Sequence, residues 1–385
     1  MQFVRLARGL LAASTRAHFA LGANNSVSVT GRRLVKCETK TKTPLTSLSC
    51  LAGLATLQSR HYSGGSAMVF DSKLKILHRE RVARITNYGD KLQNEIAHRL
   101  VDRLADCTRS FKDVLVVGGA GLIVAKKLVD SGQRLESITY VETSQALLED
   151  FEARLAVDYL DSKVEFKSVR LETSEESLLG SLSDKRFDAA ISCLGLHWVN
   201  NLPSALVQIK DSLRPDGFFI GAFFGGDTLQ ELRIACSIAE MEREGGVSPR
   251  TSPLARVRDA GSLLSVAGYS LPVVDVDTIS IRYKSVAHLV EHLRRLGESN
   301  ANMNRRGLLK RDSAVATAAV YHSLFAEDDS TIPSTYQIIY ISGWSPHQSQ
   351  QKPMDRGAAS ASFKDLKREI TNLNAERDEE GKGDV

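Results

Sequence analysis

Long apolar segments and metal-binding motifs are both missing from this chain of 385 residues. No run of about 18 uncharged apolar residues occurs, which is the length that a helix needs to cross a bilayer, so we expect no spanning helix. The five cysteines are scattered, without a C-x-x-C pair or a histidine at ligand spacing, and we predict no zinc site. The one His-x-Glu sequence, at His78 and Glu80, falls in a charged helical pattern, so no metal role is predicted there.

Basic residues are concentrated at the start of the chain. Residues 1–62 contain nine Lys or Arg and one acid, Glu38, whereas residues 63–385 contain 41 basic and 45 acidic residues. A segment rich in Arg, Ser and Thr and nearly free of acids is typical of a mitochondrial transit peptide. We therefore predict a transit peptide over residues 1–62, cleaved after Tyr62, and a matrix protein with reduced thiols. The acidic remainder does not favour nucleic acid as a partner.

The segment from Phe187 to Phe224 predicts a strand, a helix and a second strand. Phe187–Cys193 is a short apolar run that fits a strand buried on both faces, and residues 202–213 repeat apolar side chains at helical spacing. Residues 215–217 predict a tight turn that ends the helix, and Phe218–Phe224 is a second apolar run. Parallel strands place binding loops at their carboxyl ends, so a site is predicted after Cys193 and after Phe224.

Strands and helices alternate along the rest of the chain. Strands are predicted at 113–117, 137–141, 164–169, 273–283 and 336–344, and helices within 70–107 and at 122–129, 144–159, 256–267, 285–296 and 307–325. This alternation predicts an α/β fold with a doubly wound sheet. The charged tail, residues 364–385, is predicted to be disordered.

A group of glycines follows the first predicted strand. Gly118, Gly119 and Gly121 lie where the strand turns into the next helix, and a backbone without side chains can approach a ligand there. Glu142 ends the second strand. A carboxylate at that place can accept both ribose hydroxyls of an adenosine, which S-adenosylmethionine and NAD share. The pattern predicts an adenosyl cofactor, with a plain tight turn as the alternative.

Longer stretches of the chain resemble one known family. They are LHWVNNLP (196–203), LRPDGFFIGAFFGGDTLQELR (213–233), AEMEREGG (239–246), LGESNANMNR (296–305), LLKRDSAVATAAVY (308–321), YQIIYISGW (336–344) and SQQKPMDRG (349–357). In this order they resemble the mitochondrial complex I assembly factors that hydroxylate an arginine of a core iron–sulfur subunit. That family has the fold of S-adenosylmethionine-dependent methyltransferases and is similar to the bacterial malonyl-carrier-protein methyltransferase. The resemblance covers residues 68–363, which we predict to be one methyltransferase-like domain.

The resemblance implies both a fold and a function. The expected fold is a mostly parallel, seven-stranded sheet of the class I methyltransferase type, with an N-terminal helical cap and helical insertions near the C-terminus. The expected function is protein-arginine hydroxylation during early assembly of complex I. The expected partners are the iron–sulfur subunit and other assembly factors, and the expected location is the matrix face of the inner membrane, as a peripheral protein.

The glycine loop departs from the pattern of that family. The family has an acid one residue inside the strand end, where this chain has Val116, and Ala120 and Leu122 stand where glycines are expected. The missing acid helps to order the loop around the methionine amine of S-adenosyl-L-methionine. The cofactor implied by the resemblance is therefore expected to bind more weakly, differently or not at all.

The resemblance also suggests residues for the two loops. Leu196, His197 and Trp198 would line the cofactor, with His197 and Trp198 toward the substrate; alternatively, Trp198 lies in the core and His197 bonds a backbone carbonyl. Asp227, and after it Glu244, are predicted to anchor the substrate guanidinium, because a carboxylate is its bidentate partner. The alternative is that Asp227 caps a helix and the nearby glutamates form a solvated face.

Three other functions compete with arginine hydroxylation. A methyltransferase acting on a small or carrier-bound carboxylate needs little beyond proximity and orientation. A non-catalytic assembly chaperone would explain Val116 and Ala120. A short-chain NAD dehydrogenase is disfavoured, because the Tyr-x-x-x-Lys sequence at Tyr159 and Lys163 lies too early in the chain. Hydroxylation also needs an oxidant, and the sequence names no source for it.

Overall fold

The computed structural model describes residues 68–85, 90–160, 162–171, 186–307 and 309–351, together with positions 182, 362, 365, 367 and 368. The strands are β1 (Asp113–Gly119), β2 (Ser137–Glu142), β3 (Glu165–Arg170), β4 (Phe187–Cys193), β5 (Leu213–Phe224), β6 (Ser270–Tyr283) and β7 (Ile332–Trp344). The helices are α1 (Ser72–Ala83), α2 (Lys91–Ala105), α3 (Gly121–Asp130), α4 (Gln145–Asp158), α5 (Leu202–Ser212), α6 (Gln230–Glu244), α7 (Val257–Ala267), α8 (Val286–Leu296) and α9 (Arg311–Phe325). The predicted transit peptide and most of the predicted tail lie outside the described residues.

The strands form one seven-stranded sheet in the order β3-β2-β1-β4-β5-β7-β6. Neighbouring strands from β3 to β5 are parallel, and β7 runs antiparallel to β5. Every residue of β2 and of β4 is buried, as expected for strands covered on both faces. The predicted class I methyltransferase type of fold is confirmed.

Contacts divide the described residues into two compact units. The first, which we call the sheet unit, comprises Ile76–Gly226, Leu254–Thr278 and the described residues from Gln337 onward. Its apolar core includes side chains of β1, β4, β5 and β7 and of helices α5 and α7. The predicted N-terminal helical region holds α1 and α2, and α2 buries Leu92, Ile96, Leu100 and Leu104 at helical spacing.

The second unit, the accessory unit, comprises the described residues up to Lys75, Asp227–Pro253 and Ile279–Tyr336. Helices α6 and α9 pack on each other within it. Ser313, Thr317 and Tyr321 are the buried residues of α9, and their spacing of four places them on one face. No helix in the part of the chain that the structure describes is long and apolar enough to cross a membrane.

Four elements begin three or more residues away from their predicted first residues, and two of them, β6 and β7, begin earlier, at Ser270 and Ile332 instead of 273 and 336. Strand β5 begins at Leu213 instead of Phe218, because Phe187 pairs with Leu213 and Ala189 already pairs with Phe218. The residues in between bulge out of the sheet, with Asp216 in the left-handed conformation at φ 62°. Helix α9 begins at Arg311 instead of Gly307, after an extended Lys310. Apolar periodicity does not mark the first residue of β5 or that of α9.

Candidate functional site

The carboxyl ends of β1 and β4 lie side by side in the sheet unit. The amide of Ala120 donates a hydrogen bond to the carbonyl of Cys193 at 2.8 Å, and the hydroxyl of Ser192 donates to the carbonyl of Val117 at 2.8 Å. The amide of Leu194 in turn donates to the carbonyl of Ala222 in β5, also at 2.8 Å. The glycine loop and the turn after β4 therefore adjoin, as predicted for parallel strands.

The glycines of this loop are required by the protein's own packing. Gly118 and Gly119 adopt φ values of 60° and 62°. A Cβ atom on Gly119 would lie 2.0 Å from the Cys193 carbonyl oxygen, and one on Gly121 would lie 2.0 Å from the ring of Tyr140. Their presence is thus explained by close backbone approach, whether or not a ligand binds.

Val116 and Ala120, two of the departures from the family pattern, are wholly buried. Val116 pairs with Tyr140 of β2 and with Ile191 of β4, in the middle of the sheet. Ala120 precedes helix α3 and offers no side-chain cap to it. Neither side chain can supply the acceptor that an acid would give to a bound amine.

Glu142 ends β2 and is fully buried. Its Oε1 accepts hydrogen bonds from Nη1 of Arg79 at 2.8 Å, from the amide and hydroxyl of Thr143 at 2.7 and 2.8 Å, and from the amide of Ser144 at 3.3 Å. Its Oε2 accepts one from the hydroxyl of Tyr140 at 3.2 Å. The predicted ribose-binding carboxylate therefore already holds a set of donors from its own chain.

Tyr140 connects this carboxylate to the glycine loop. Its hydroxyl lies 3.2 Å from Glu142 Oε2 and 3.4 Å from the carbonyl oxygen of Gly119, and its ring packs against Gly121. The structure thus brings together the predicted cofactor residues of β1 and β2. It does so through an aromatic side chain that the sequence did not single out.

Residues Leu196–Trp198 form one turn of 3₁₀-helix after β4. Leu196 is wholly buried in the apolar core, and His197 and Trp198 are each less than a tenth exposed. The His197 ring lies 5.4 Å from the Trp198 ring and 5.3 Å from the ring of Phe224, measured between centroids. This places the turn beside the end of β5, where the second predicted loop begins.

Asp227 belongs to the accessory unit and is exposed. It does not cap helix α6, because the N-cap is Leu229, in the left-handed conformation at φ 56°. The carboxylate of Glu231, one residue into that helix, accepts a hydrogen bond from the amide of Thr335 at 3.1 Å. The capping role weighed for Asp227 is therefore wrong, and its role as a guanidinium anchor stays a prediction.

Glu240, on the same helix, is almost completely buried. Its carboxylate accepts hydrogen bonds from the amide of Ser248 at 2.6 Å, from the Ser248 hydroxyl, and from Nε of Arg250 at 2.5 Å. Burial raises the pKa of Glu240, but the bonds from Ser248 and Arg250 outweigh it, so this pKa lies below its ordinary value. Glu240 therefore holds Ser248 and Arg250 against helix α6 in the accessory unit, and it is not part of a solvated face.

Glu244, the second predicted anchor, lies at the end of α6. Its carboxylate accepts hydrogen bonds from the Ser313 hydroxyl at 2.5 Å and from the Arg306 guanidinium at 2.6 Å, and the Lys310 ammonium lies 3.7 Å away. The hydrogen bond from Ser313 has the largest effect and lowers the pKa of Glu244; burial raises this pKa by less, and the charges of Lys310 and Arg306 lower it further, so it lies below its ordinary value. The carboxylate therefore already binds a guanidinium of its own chain.

Within the described residues, no group of three or more His, Cys, Asp or Glu could hold a metal ion. Cys107, Cys193 and Cys236 are free thiols. Burial raises the pKa of all three, to about 11 for Cys236. These thiols are therefore protonated at neutral pH and are poor nucleophiles.

Known proteins resemble the chain in both sequence and fold. A family described as a methyltransferase domain matches residues 115–221. The human protein named arginine-hydroxylase NDUFAF5, mitochondrial, is 40% identical over 79% of this chain and 85% of its own length. The malonyl-[acyl-carrier protein] O-methyltransferase of Xylella fastidiosa is 28% identical over 72% of this chain and 88% of its own. A solved structure of a putative methyltransferase from Bacillus halodurans has 13% identity and a TM-score of 0.45, and covers 66% of this chain and 100% of its own.

The sheet order and the matched domain define a protein of the class I methyltransferase fold, which is a fold of the S-adenosylmethionine-binding type. The identity of 40% to the human and rat relatives, over most of each chain, identifies the family within this fold class. The chain belongs to the NDUFAF5 arginine-hydroxylase family, and the predicted family is confirmed. The relatives are named as mitochondrial proteins, which supports the predicted mitochondrial location.

Three residues at the β2 end were missed by sequence reasoning. Tyr140 precedes Glu142 by two positions and so shares its face of the strand, a relation that alternation could have revealed. Thr143 follows Glu142 directly. Arg79 lies 63 residues away from Glu142 in the chain, and no local signal connects the two.

Proposed function

We propose that this protein is a mitochondrial protein-arginine hydroxylase that acts on a core iron–sulfur subunit of respiratory complex I during early assembly. The observation that carries this proposal is the 40% identity to proteins named arginine-hydroxylase, extending over most of both chains. On this proposal the partners are that subunit and other assembly factors. The place of action is the matrix face of the inner membrane, to which the protein binds peripherally.

The proposed cofactor is S-adenosyl-L-methionine, bound at the joined ends of β1, β2 and β4. Gly118, Gly119 and Gly121 would face the methionine part, Glu142 would accept the ribose hydroxyls, and Leu196 would contact the adenosyl group. The proximity of the glycine loop to Tyr140 and Glu142 supports this assignment. Such a cofactor would supply an electrophilic sulfonium, and the glycine loop and Glu142 would hold it.

The proposed substrate contacts are His197, Trp198, Asp227 and Glu244. A guanidinium needs a carboxylate to replace its hydration, and the Glu244–Arg306 pair is an example of that chemistry within the chain. Asp227 is the exposed member of the pair of anchors. Replacing a C–H bond of arginine by a C–OH bond is a two-electron oxidation, so the reaction also requires an oxidant as co-reactant.

Mass spectrometry of the iron–sulfur subunit tests the proposed reaction. The subunit is isolated from cells with the protein, without it, and with either Asp227→Asn or the control Glu242→Gln, since Glu242 is an exposed acid on the same helix. We expect a one-oxygen mass increase on an arginine in wild-type and control cells. It should be absent without the protein and reduced in the Asp227→Asn cells, while binding of S-adenosylhomocysteine is unchanged. An arginine left unmodified in every sample would refute the hydroxylase proposal.

A methyltransferase acting on a carrier-bound or small carboxylate is the second candidate. Two observations favour it: the matched methyltransferase domain and the 28% identity to a malonyl-carrier-protein methyltransferase. The same experiment separates the candidates, because a methyl increment on the subunit or on a carrier-bound acid would replace the oxygen increment. A third candidate, an assembly chaperone without catalysis, gains support from Val116 and Ala120. It predicts that cells need the protein but that no covalent change depends on it.

A further inference from the structure

The Glu142 carboxylate has few hydrogen-bond acceptor positions left for a ribose. A carboxylate offers about four lone-pair positions, two on each oxygen. Four donors from Arg79, Thr143 and Ser144 already converge on Oε1, whereas Oε2 accepts one hydrogen bond, from Tyr140. A ribose that presents two adjacent hydroxyls needs one position on each oxygen. One of the donors on Oε1 therefore has to leave before the ribose can bind in this way.

Arg79 is the donor that can leave. The amides of Thr143 and Ser144 are fixed by the backbone that follows β2, and the Thr143 hydroxyl is carried by a short side chain beside the carboxylate. Arg79 instead reaches Glu142 from helix α1, at the end of a long and flexible side chain. Its Nη1 also donates to the Thr143 hydroxyl, at 3.2 Å.

The contact is strong because it is buried. The side chain of Arg79 is 8% exposed and that of Glu142 is 0% exposed. A charge-assisted hydrogen bond in such surroundings is shorter and stronger than one between neutral groups, and removing one partner leaves the other charge without compensation. Any ligand that displaces Arg79 must replace this interaction, and the measured association constant is the intrinsic one multiplied by the fraction of molecules in which the site is open.

We propose that Arg79 is a cofactor-site residue which occupies, in the ligand-free protein, the place of one ribose hydroxyl on Glu142 and thereby sets the affinity for adenosyl ligands. This inference rests on the proposed binding of S-adenosylmethionine at Glu142. It adds to that proposal a competing group within the chain. The chemical class of ligand follows: a compound with a free 2′,3′-diol competes with Arg79, and a compound without that diol does not.

Calorimetric titration with S-adenosylhomocysteine tests the inference on the full chain. Arg79→Gln removes the charge but keeps an amide donor, and Arg81→Gln is the matched control, because Arg81 is an exposed arginine on the same helix. We expect Arg79→Gln to bind about tenfold more tightly than the wild type, which corresponds to about 1.4 kcal/mol. Arg81→Gln should bind as the wild type does. The 2′,3′-dideoxy analogue of the ligand should show no gain with Arg79→Gln.

Three other calorimetric results would contradict the inference. If the wild type binds the ligand and Arg79→Gln binds it equally or more weakly, the proposed cofactor stands, while the competing role of Arg79 is wrong. A gain that extends to the dideoxy analogue also overturns it. Absence of binding by the wild type and by Arg79→Gln overturns both this inference and the proposed cofactor. If Arg79→Gln does not fold, Arg79→Lys replaces it, since a lysine keeps the charge but not the guanidinium geometry, and we expect a smaller gain in affinity.

Discussion

Two carboxylates of this protein each hold an arginine of the same chain, in very different surroundings. In the sheet unit, Arg79 and Glu142 are both covered, whereas in the accessory unit Arg306 keeps 46% of its side chain exposed beside Glu244. Exposed pairs contribute little to stability, and buried pairs are costly to separate. A guanidinium from a partner could therefore exchange with Arg306 at small cost. An adenosyl ligand, in contrast, would displace Arg79 from Glu142 at a large cost in free energy.

The difference extends to the backbone around the two sites. The end of β1 is crowded by the Cys193 carbonyl and the Tyr140 ring, whereas Gly245, which ends α6, has no other atom within 4 Å of a Cβ placed on it. Both segments need a left-handed residue, since Gly119 and Gly245 have φ values of 62° and 67°. Matched substitutions at these two glycines can therefore separate crowding from conformational strain.

The largest effect is expected from Gly119→Ala. The new methyl group would meet the Cys193 carbonyl at 2.0 Å in an unfavourable conformation, so we expect a loss of about 3–5 kcal/mol in the free energy of unfolding. Gly245→Ala carries the conformational strain alone and should lose about 1 kcal/mol. Urea unfolding of both variants measures the two losses. Equal losses would mean that the Cys193 carbonyl does not crowd the end of β1, contrary to the 2.0 Å approach.

An intermediate effect is expected from Glu240→Gln. The Glu240–Arg250 ion pair is buried but belongs to the accessory unit, so this variant tests whether burial, and not membership of the sheet unit, makes an ion pair costly to break. Arg250 is 13% exposed and would lose its charged partner, so we expect a loss of about 3 kcal/mol at pH 7. The pKa of Glu240 is lowered in the folded protein, so its contribution is complete above the unfolded pKa and is lost as the pH falls through the folded one. The difference between wild type and variant should therefore stay constant above about pH 5 and shrink below about pH 4.

Urea unfolding of the wild type and of Glu240→Gln across that pH range checks the prediction. Glu242→Gln serves as the control, because Glu242 is exposed on the same helix. A difference that persists unchanged to pH 3 would show that the charge of Glu240 contributes nothing.

The smallest effect is expected from Arg306→Ala. The pair with Glu244 is screened by solvent on the arginine side, so the free energy of unfolding should fall by no more than about 0.5 kcal/mol. A loss above about 2 kcal/mol would remove the contrast between the two pairs. Thermal or urea unfolding at two salt concentrations is sufficient, since an exposed pair also weakens with added salt.

Apolar pattern predicted the centre of the fold well, because there the burial of strands dominates. Strand β4 was predicted with its observed bounds, Phe187–Cys193, and Glu142 was expected at the end of β2, where it lies. Polar contacts between a helix or strand and another part of the chain were not predictable. The Arg79–Glu142 pair, and the burial of Glu240 by Ser248 and Arg250, depend on tertiary packing that periodicity does not report. The predicted roles of His197, Trp198 and Asp227 stay predictions.

Leu194, which connects β4 to the turn of His197 and Trp198, adopts a φ of 57°. A leucine in this conformation costs about 1–2 kcal/mol relative to a glycine. Leu194 is 4% exposed, and burial of a leucine side chain contributes about 1.5–3 kcal/mol, which offsets that cost. The turn of His197 and Trp198 therefore starts from a backbone conformation that the packing of Leu194 holds in place.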